Sequence, residues 1–291
     1  MAAHILDGRA LAEEIRAAIR PRLARLAARG YSPHLLALRA GEDPAAVLYA
    51  KAQARACERE GIGFSEEVLP AGADTAQVRA RLDAANRDPK LSGILVVKPF
   101  GPGVDFAALR VHIDPLKDVE GIHPQNTSLL GPAASALPPC TAAAAVELAH
   151  AAGFPFRGRH VVIVGAGETV GTPLALLALQ RWATVTVCHI YTERLADHTS
   201  RADGLFVAAG RPRLIRGDMV KPGAVVIDIG INRIADVEPD GATRTRIVGD
   251  VDFESVGAVA GHLTPVPGGV GPLTVALLLR NIVAAAERQR G

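Results

Sequence analysis

The run VVIVGAGETVGTP (161–173) carries the first chemistry in the chain. Strand-forming residues lead into Gly165, Gly167 and Gly171, and a helix is expected to begin near Thr169. Glycines at such a turn let the backbone approach a pyrophosphate, and free N–H groups at the helix start hold its charge. The last glycine falls one residue later than in GxGxxG, so a plain strand–helix turn is the competing reading. A strand that holds the NAD ribose ends on Asp or Glu. Here the next strand runs out through Cys188, His189, Ile190 and Tyr191, with no acid before Glu193. The spacing therefore does not choose between NAD and NADP.

Other reactive residue types are sparse. Lysine occurs only at 51, 90, 98, 117 and 221, against a large excess of arginine. Cys57, Cys140 and Cys188 stand too far apart for a metal knuckle, and three cannot all pair. Cys57 and Cys140 are expected to be packed thiols. Asp250 and Asp252 lack a third ligand for a metal site. No metal is expected.

Composition narrows the classes. Hydrophobic residues make up 49% and charged residues 21% of 291, enough for a large core and unlike a disordered chain. Thirty-two basic and 30 acidic residues leave +2, which argues against a nucleic-acid binder. The acidic N-terminus does not read as a signal peptide, and no apolar run approaches the ~20 residues of a membrane span. A reducing cytoplasm and no membrane partner are expected.

The elements that must position these residues alternate. Leu11, Ile15, Ile19, Leu23 and Leu26 recur at helical spacing, with Asp7 as cap and Pro21 as a potential kink. Strands are expected at 34–41, 63–70 and 93–99, with helices at 45–60 and 76–86 between them. A Pro- and Gly-rich stretch at 114–141 reads as irregular and functional. A helix at 141–152 opens a second series, with strands at 160–167, 183–190, 204–210 and 224–231 and a final helix from Pro272. This alternation implies an α/β fold built on parallel sheets.

Several motifs stand in one order: AGEDPAAVLYAKAQARACEREGI (40–62), GILVVKP (93–99), KDVEGIHPQN (117–126), PPCT (138–141), VGAGETVGTP (164–173), VIDIGIN (226–232), VGDVDF (248–253) and TPVPGGVGPLTVA (264–276). Together they resemble the bifunctional methylenetetrahydrofolate dehydrogenase/methenyltetrahydrofolate cyclohydrolase (FolD) family, from Asp7 to Asn281. The resemblance implies two domains facing one cleft. A folate domain would take 1–140 plus 272–291, with the last helix packed back onto it. A Rossmann-like doubly wound domain would take 141–271 and bind NADP, with NAD as the alternative. It implies a cytoplasmic homodimer that oxidises 5,10-methylenetetrahydrofolate and hydrolyses the methenyl product to 10-formyltetrahydrofolate. By the same resemblance, Tyr49, Val97, Glu120, Pro265, Gly268 and Gly269 would meet the substrate. Gly165, Ala166, Gly167, Thr169, Val170, Gly171, His189, Ile190 and Ile231 would meet the cofactor.

The departures from that pattern bear on the chemistry. Typical members carry Lys four residues after the Tyr, on one helix face. Here Tyr49 is followed by Gln53, which cannot relay a proton by ordinary titration. Lys51 lies roughly 200° around the helix from Tyr49. The typical Gln of GILVQLP is Val97, with Lys98 after it, and the second Asp of KDVDG is Glu120. Two readings stay open for Lys98. Either it forms a rearranged pair with Gln53, although adjacent strand residues face apart, or it is solvated and the site lacks an ammonium.

At the cofactor end, Ala166, Ile190 and Tyr191 replace the usual partners of the 2′-phosphate, leaving Arg194, Arg211 and Arg213 as substitutes. His123 is expected to act either in loop hydrogen bonding or at the substrate, and His189 to end its strand near the cofactor. Tyr49, Gln53, Lys98 and Glu120 are thus the expected catalytic group, with dehydrogenation retained and cyclohydrolysis weak or lost. The rival readings are a different pterin substrate, or a folate or nucleotide binder without turnover.

Overall fold

The computed structural model describes residues 2–128, 137–237 and 243–290. The part of the loop-rich stretch at 129–136 lies outside the described residues. The chain divides into two compact units, one of Met1–Ala12 with Thr141–Thr274 and one of Glu13–Cys140 with Val275–Gly291.

In chain order, the first half holds β1 (His4–Ile5), α1 (Gly8–Ala28), β2 (His34–Ala40), α2 (Pro44–Arg59), β3 (Gly63–Leu69), α3 (Thr75–Arg87), β4 (Gly93–Val97), α4 (Phe106–Arg110) and α5 (Pro124–Ser128). Strands β3, β2 and β4 form a parallel sheet in that order. Its core packs Leu36, Leu38, Ile94 and Val96 against Val78 and Leu82 of α3.

Capping residues set where the helices start. Asp43 accepts the N–H groups of Ala45 and Ala46, both at 2.9 Å, and Pro44 opens α2 without wasting a donor. Asp74 and Gln77 form a reciprocal capping box on α3. Lys117 closes the other end of α3: its buried ammonium donates to the carbonyls of Ala85, Asn86 and Asp88 at 2.6–3.0 Å. Burial lowers its pKa.

The second half holds α6 (Cys140–Ala151), β5 (His160–Val164), α7 (Gly171–Gln180), β6 (Thr184–Cys188), α8 (Leu195–Thr199), β7 (Gly204–Val207), β8 (Val225–Asp228), β9 (Asn232–Val237), β10 (Thr243–Val248), α9 (Phe253–Gly257), β11 (His262–Leu263) and α10 (Val270–Arg290). Six strands form a parallel sheet in the order β1-β11-β8-β7-β5-β6. The chain leaves β5 for β6 on one side, then returns to lay β7 on the other. That reversal is the switch point where such sheets bind ligands, outside the strands' carboxyl ends. A β9–β10 antiparallel hairpin stands apart from the sheet order.

Three expectations are corrected here. The resemblance counts residues 1–12 with the folate domain, whereas they cluster with 141–274. The pairs His4–His262 and Ile5–Leu263 add β1 to the six-stranded sheet, and that draws Met1–Ala12 into its unit. The helix after the Gly-rich turn starts at Gly171, not near Thr169. Finally, α10 is 21 residues long and an 18-residue window of it has a mean hydropathy of 1.4, so by length and composition it does reach the size of a membrane span. Its apolar residues Leu277, Leu279, Ile282 and Val283 are instead buried inside the protein. Asn281 anchors it by donating to the carbonyls of Val119 and Pro138 at 2.8 and 2.9 Å.

Candidate active site

In the unit containing β2–β4, α2 presents Tyr49 and Gln53 one turn apart. Ala46, Ala50, Gln53 and Cys57 make its buried stripe, so Gln53 lies on the core-facing side and is 1% exposed. Its Oε1 has no hydrogen-bond partner. A buried acceptor without a donor is costly, on the order of 1–3 kcal/mol, and is worth explaining by function. Lys51 is exposed on another face of the helix. Burial raises the Tyr49 phenol well above its usual range, with further contributions from the charges of Glu120 and Cys140, so it stays a neutral hydroxyl.

Glu120 follows a structural carboxylate. Asp118 is fully buried and accepts the N–H groups of Ile122 and His123 and the Asn126 amide, at 3.2, 2.8 and 2.8 Å. His123 is likewise a loop brace, accepting the Gln125 N–H on Nδ1. Two residues beyond Asp118, burial pushes the Glu120 carboxyl up to about 8. The charge of Asp118 adds to the rise and that of Lys98 opposes it.

Lys98 follows β4 and is exposed, with Nζ 4.6 Å from the centre of the Phe106 ring. Of the two readings of Lys98, the pair with Gln53 does not form: Gln53 Oε1 is unpartnered, while the exposed ammonium rests on an aromatic face and acts on Glu120. Val97, expected at the substrate, is 3% exposed in β4 and offers a ligand almost no surface. Cys140 is a packed thiol beside Asn281, and Cys57 is a packed thiol on α2 that burial pushes up to about 12.

Pro265, Gly268 and Gly269 belong to the other unit. There the Gly8 N–H donates to the Gly268 carbonyl at 3.0 Å and the Gly269 N–H to that of Pro265 at 2.8 Å. Their segment thus anchors the start of α1.

The Gly-rich turn of that unit suits a pyrophosphate. Gly165 takes a φ of +114°, and a Cβ there would strike the Ala208 carbonyl. A Cβ on Gly171 would strike the Gly165 carbonyl, which explains the late third glycine as a close helix–turn contact. Gly167 faces open space. Ala166 is exposed, Thr169 and Val170 are half-buried, and α7 starts with no side-chain cap on its N–H groups. The residues present therefore fit the phosphates of a dinucleotide.

Past the end of β6, Ile190 and Tyr191 are 90% and 86% exposed. His189 Nδ1 accepts the Tyr191 N–H at 3.2 Å. Arg194 pairs with Asp197 at 3.4 Å. Ile231, after β8, is also exposed.

Sequence reasoning missed Asp228 and weighed Asp250 only as half of an incomplete metal pair; both are buried carboxylates. Asp228 accepts the N–H groups of Gly230, Asp250 and Val251, each at 3.0 Å. Burial pushes its carboxyl up to about 7, offset by those N–H groups and reinforced by Asp250. The signal was an acid closing the apolar run VVID, where a buried strand has no other use for a charge. Asp252 caps α9 through the Ser255 N–H at 3.0 Å. No cluster of metal-ligating side chains occurs among the described residues.

A six-stranded parallel sheet with a phosphate-ready turn at its switch point, carried with an α/β unit that holds Tyr49, Gln53 and Glu120, defines a two-domain dinucleotide-binding α/β enzyme. Two family models match the chain: tetrahydrofolate dehydrogenase/cyclohydrolase, catalytic domain, over 6–120, and the NAD(P)-binding domain of the same family, over 139–290. The chain belongs to the tetrahydrofolate dehydrogenase/cyclohydrolase family. It is 46% identical over 285 residues to the bifunctional protein FolD 2 of Mesorhizobium japonicum, covering 98% of this chain and 92% of the relative. The solved FolD methylenetetrahydrofolate dehydrogenase/cyclohydrolase of Campylobacter jejuni superposes with a TM-score of 0.91 at 38% identity, covering 99% of both chains. The Trypanosoma brucei FolD structure, complexed with NADP and an inhibitor, gives 0.92 at 34% identity over 99% of this chain and 98% of that one.

Proposed function

We propose that this chain oxidises 5,10-methylenetetrahydrofolate to 5,10-methenyltetrahydrofolate with NADP or NAD, and that its onward hydrolysis to 10-formyltetrahydrofolate is weak or absent. The oxidation rests on family membership. The loss of hydrolysis rests on Gln53, a buried amide where the resemblance calls for an amine. Folate is assigned to residues 13–140 with 275–291, and the cofactor to 1–12 with 141–274.

Oxidation removes one hydride from the one-carbon bridge and consumes no water. When bound, the nicotinamide supplies the hydride acceptor. Gly165 to Gly171 hold its pyrophosphate, and His189, Ile190 and Ile231 make further contacts. Tyr49 keeps its proton and serves as a neutral hydroxyl donor or acceptor. Glu120, once ionised, accepts N–H groups of the pterin. Pro265, Gly268 and Gly269 complete the folate contacts.

Hydrolysis demands more: water must add at the methenyl carbon and give up a proton. An amide at 53 neither takes nor returns that proton. The ammonium of Lys98 is held over Phe106.

The test mixes the purified chain with methylenetetrahydrofolate and NADP or NAD, following reduced cofactor and folate product separately. Reduced cofactor and methenyl product should accumulate together. Formyl product appearing as fast as reduced cofactor overturns the loss of hydrolysis. Tight cofactor binding without reduction overturns the oxidation and favours another pterin or a non-catalytic binder.

The enzyme is assigned as a homodimer joined through β6. That strand ends the sheet order, with Val187 exposed, and the packed α7 exposes Leu179 at 53%, followed by Trp182 at 76%. An open strand edge flanked by apolar residues suits a second copy related by a two-fold axis. Light scattering of L179E/W182E should read a monomer where the parent reads a dimer. Three buried, unbridged thiols suit the cytoplasm, which is the proposed location.

A further inference from the structure

We propose that Asp250 is a positioning residue for the nicotinamide cofactor, joining the loops after β7 and β8 into one platform beside the Gly-rich turn. The side chain is fully buried. One oxygen, Oδ2, accepts the N–H groups of Ala209 and Gly210 at 2.6 and 2.8 Å. The other, Oδ1, accepts the Asn232 amide at 2.7 Å. One carboxylate therefore ties the segment after β7 to the segment after β8.

Both segments lie where a parallel sheet binds its ligand, at the strands' carboxyl ends. The first touches the pyrophosphate turn directly, since a Cβ on Gly165 would meet Ala208 and the Ala209 nitrogen. The second carries exposed Ile231 between two fixed neighbours. The Gly230 N–H donates to Asp228, and the Asn232 amide donates to Asp250. Asp228 in turn fixes the Asp250 backbone N–H at 3.0 Å. The chain of contacts runs from Asp228 through Asp250 and Ala209 to Gly165 without a gap.

A carboxylate suits the site because all three partners donate. An asparagine at 250 has one acceptor oxygen and one NH₂. Facing Ala209 and Gly210 with the oxygen, it turns its NH₂ toward the NH₂ of Asn232. Facing the other way, it turns the NH₂ toward two backbone donors. The first pose holds once the Asn232 amide rotates to offer its oxygen, so alanine, which removes every acceptor at 250, is the single substitution there that breaks the tie. Exchanging the two side chains, in D250N/N232D, keeps it: the amide then at position 250 accepts from Ala209 and Gly210 and donates to the carboxylate then at position 232. The exchange sacrifices only the 3.5 Å contact of Asn232 with the Val248 carbonyl.

The inference rests on the reading that the β5–α7 turn holds the cofactor, and wild-type binding of NADP or NAD tests that reading alone. The variants D250A and D250N/N232D test the inference, by cofactor Kd and by KM for cofactor and folate separately. Expected for D250A is a roughly tenfold rise in Kd and KM for the cofactor with folate KM unchanged. The exchange variant should stay close to wild type. Unchanged cofactor Kd in folded D250A overturns the proposal, as does a fall in melting temperature with no change in Kd. If D250A does not fold, N232A carries the test, because it leaves Ala209 and Gly210 held and frees only the β8 loop. Weaker cofactor binding supports the proposal and unchanged binding overturns it.

Discussion

Lys98 acts on Glu120: its positive charge opposes the rise that burial and Asp118 impose on that carboxyl, which titrates at about 8. At neutral pH most Glu120 side chains in the free enzyme therefore hold a proton. A pterin N–H needs the ionised form as acceptor, so kcat/KM for folate should climb with pH until about 8. Replacing Lys98 by Met removes the opposing charge and should move that limb to higher pH, with kcat at saturating folate changed less. A pH profile of kcat/KM checks this. An unmoved limb in K98M would show that the lysine has no hold on the site.

The same carboxyl shapes stability. Its folded pKa lies above the ordinary value of 4.5, so the folded state keeps a proton that the unfolded chain has lost. Stability is then highest below about 4.5, falls as pH rises toward 8, and levels off beyond. Asp228 adds a like slope between 3.8 and about 7. The variant E120Q lacks the Glu120 slope. Its stability relative to the parent should increase between pH 5 and pH 9, by on the order of 4 kcal/mol. Urea melts at several pH values give the difference, and a parallel pair of curves would refute it.

Both α/β series were legible because the apolar strands at 34–40, 93–97, 160–164 and 225–228 alternate with helical periods, and that pattern is local. The hidden parts depend on distant partners. β1 is two residues long and exists only because β11, more than 250 positions away, offers it an edge. The substitution at Gln53 was plain, but its unpaired oxygen was not, since burial on α2 depends on what packs over the Ala46–Ala50–Cys57 stripe. Strand alternation warned that Val97 and Lys98 face apart, and the buried Val97 agrees with it. Alternation was the objection to a Lys98–Gln53 pair, and that pair does not form. Scarce lysines drew notice for the wrong member: Lys117, buried on three carbonyls of α3, is the structural one.

Cofactor choice should be adjustable at Tyr191. The residue is 86% exposed after β6, with its ring 6.2 Å from that of His189, so replacing it disturbs little packing. Neither Ile190 nor Tyr191 carries a charge for a 2′-phosphate. Tyr191→Arg adds a guanidinium where Rossmann folds place that partner. A charge-assisted contact is worth about 1.5–3 kcal/mol, so kcat/KM for NADP should rise roughly tenfold or more, with NAD little changed. Steady-state kinetics with both cofactors measure the ratio. An equal change for both would place Tyr191 away from the ribose.

Restoring an amine at position 53 is the most direct probe of the missing chemistry. Gln53→Lys puts the amine one turn from Tyr49, in a site where the wild-type side chain is 1% exposed. Burial disfavours the charged form and lowers a lysine pKa, which brings the amine toward the neutral range where it can exchange a proton with water at the methenyl carbon. The cost is desolvation and a longer side chain in a packed stripe, so stability should fall by about 1–3 kcal/mol. Hydrolysis of methenyltetrahydrofolate should rise at least tenfold over the parent, while dehydrogenation stays within a few-fold, since hydride transfer needs alignment more than an acid–base group. Calorimetry and the two rates, measured on the same preparation, separate the effects. A folded Q53K that gains no hydrolysis would mean that the amide is not what limits this enzyme to oxidation.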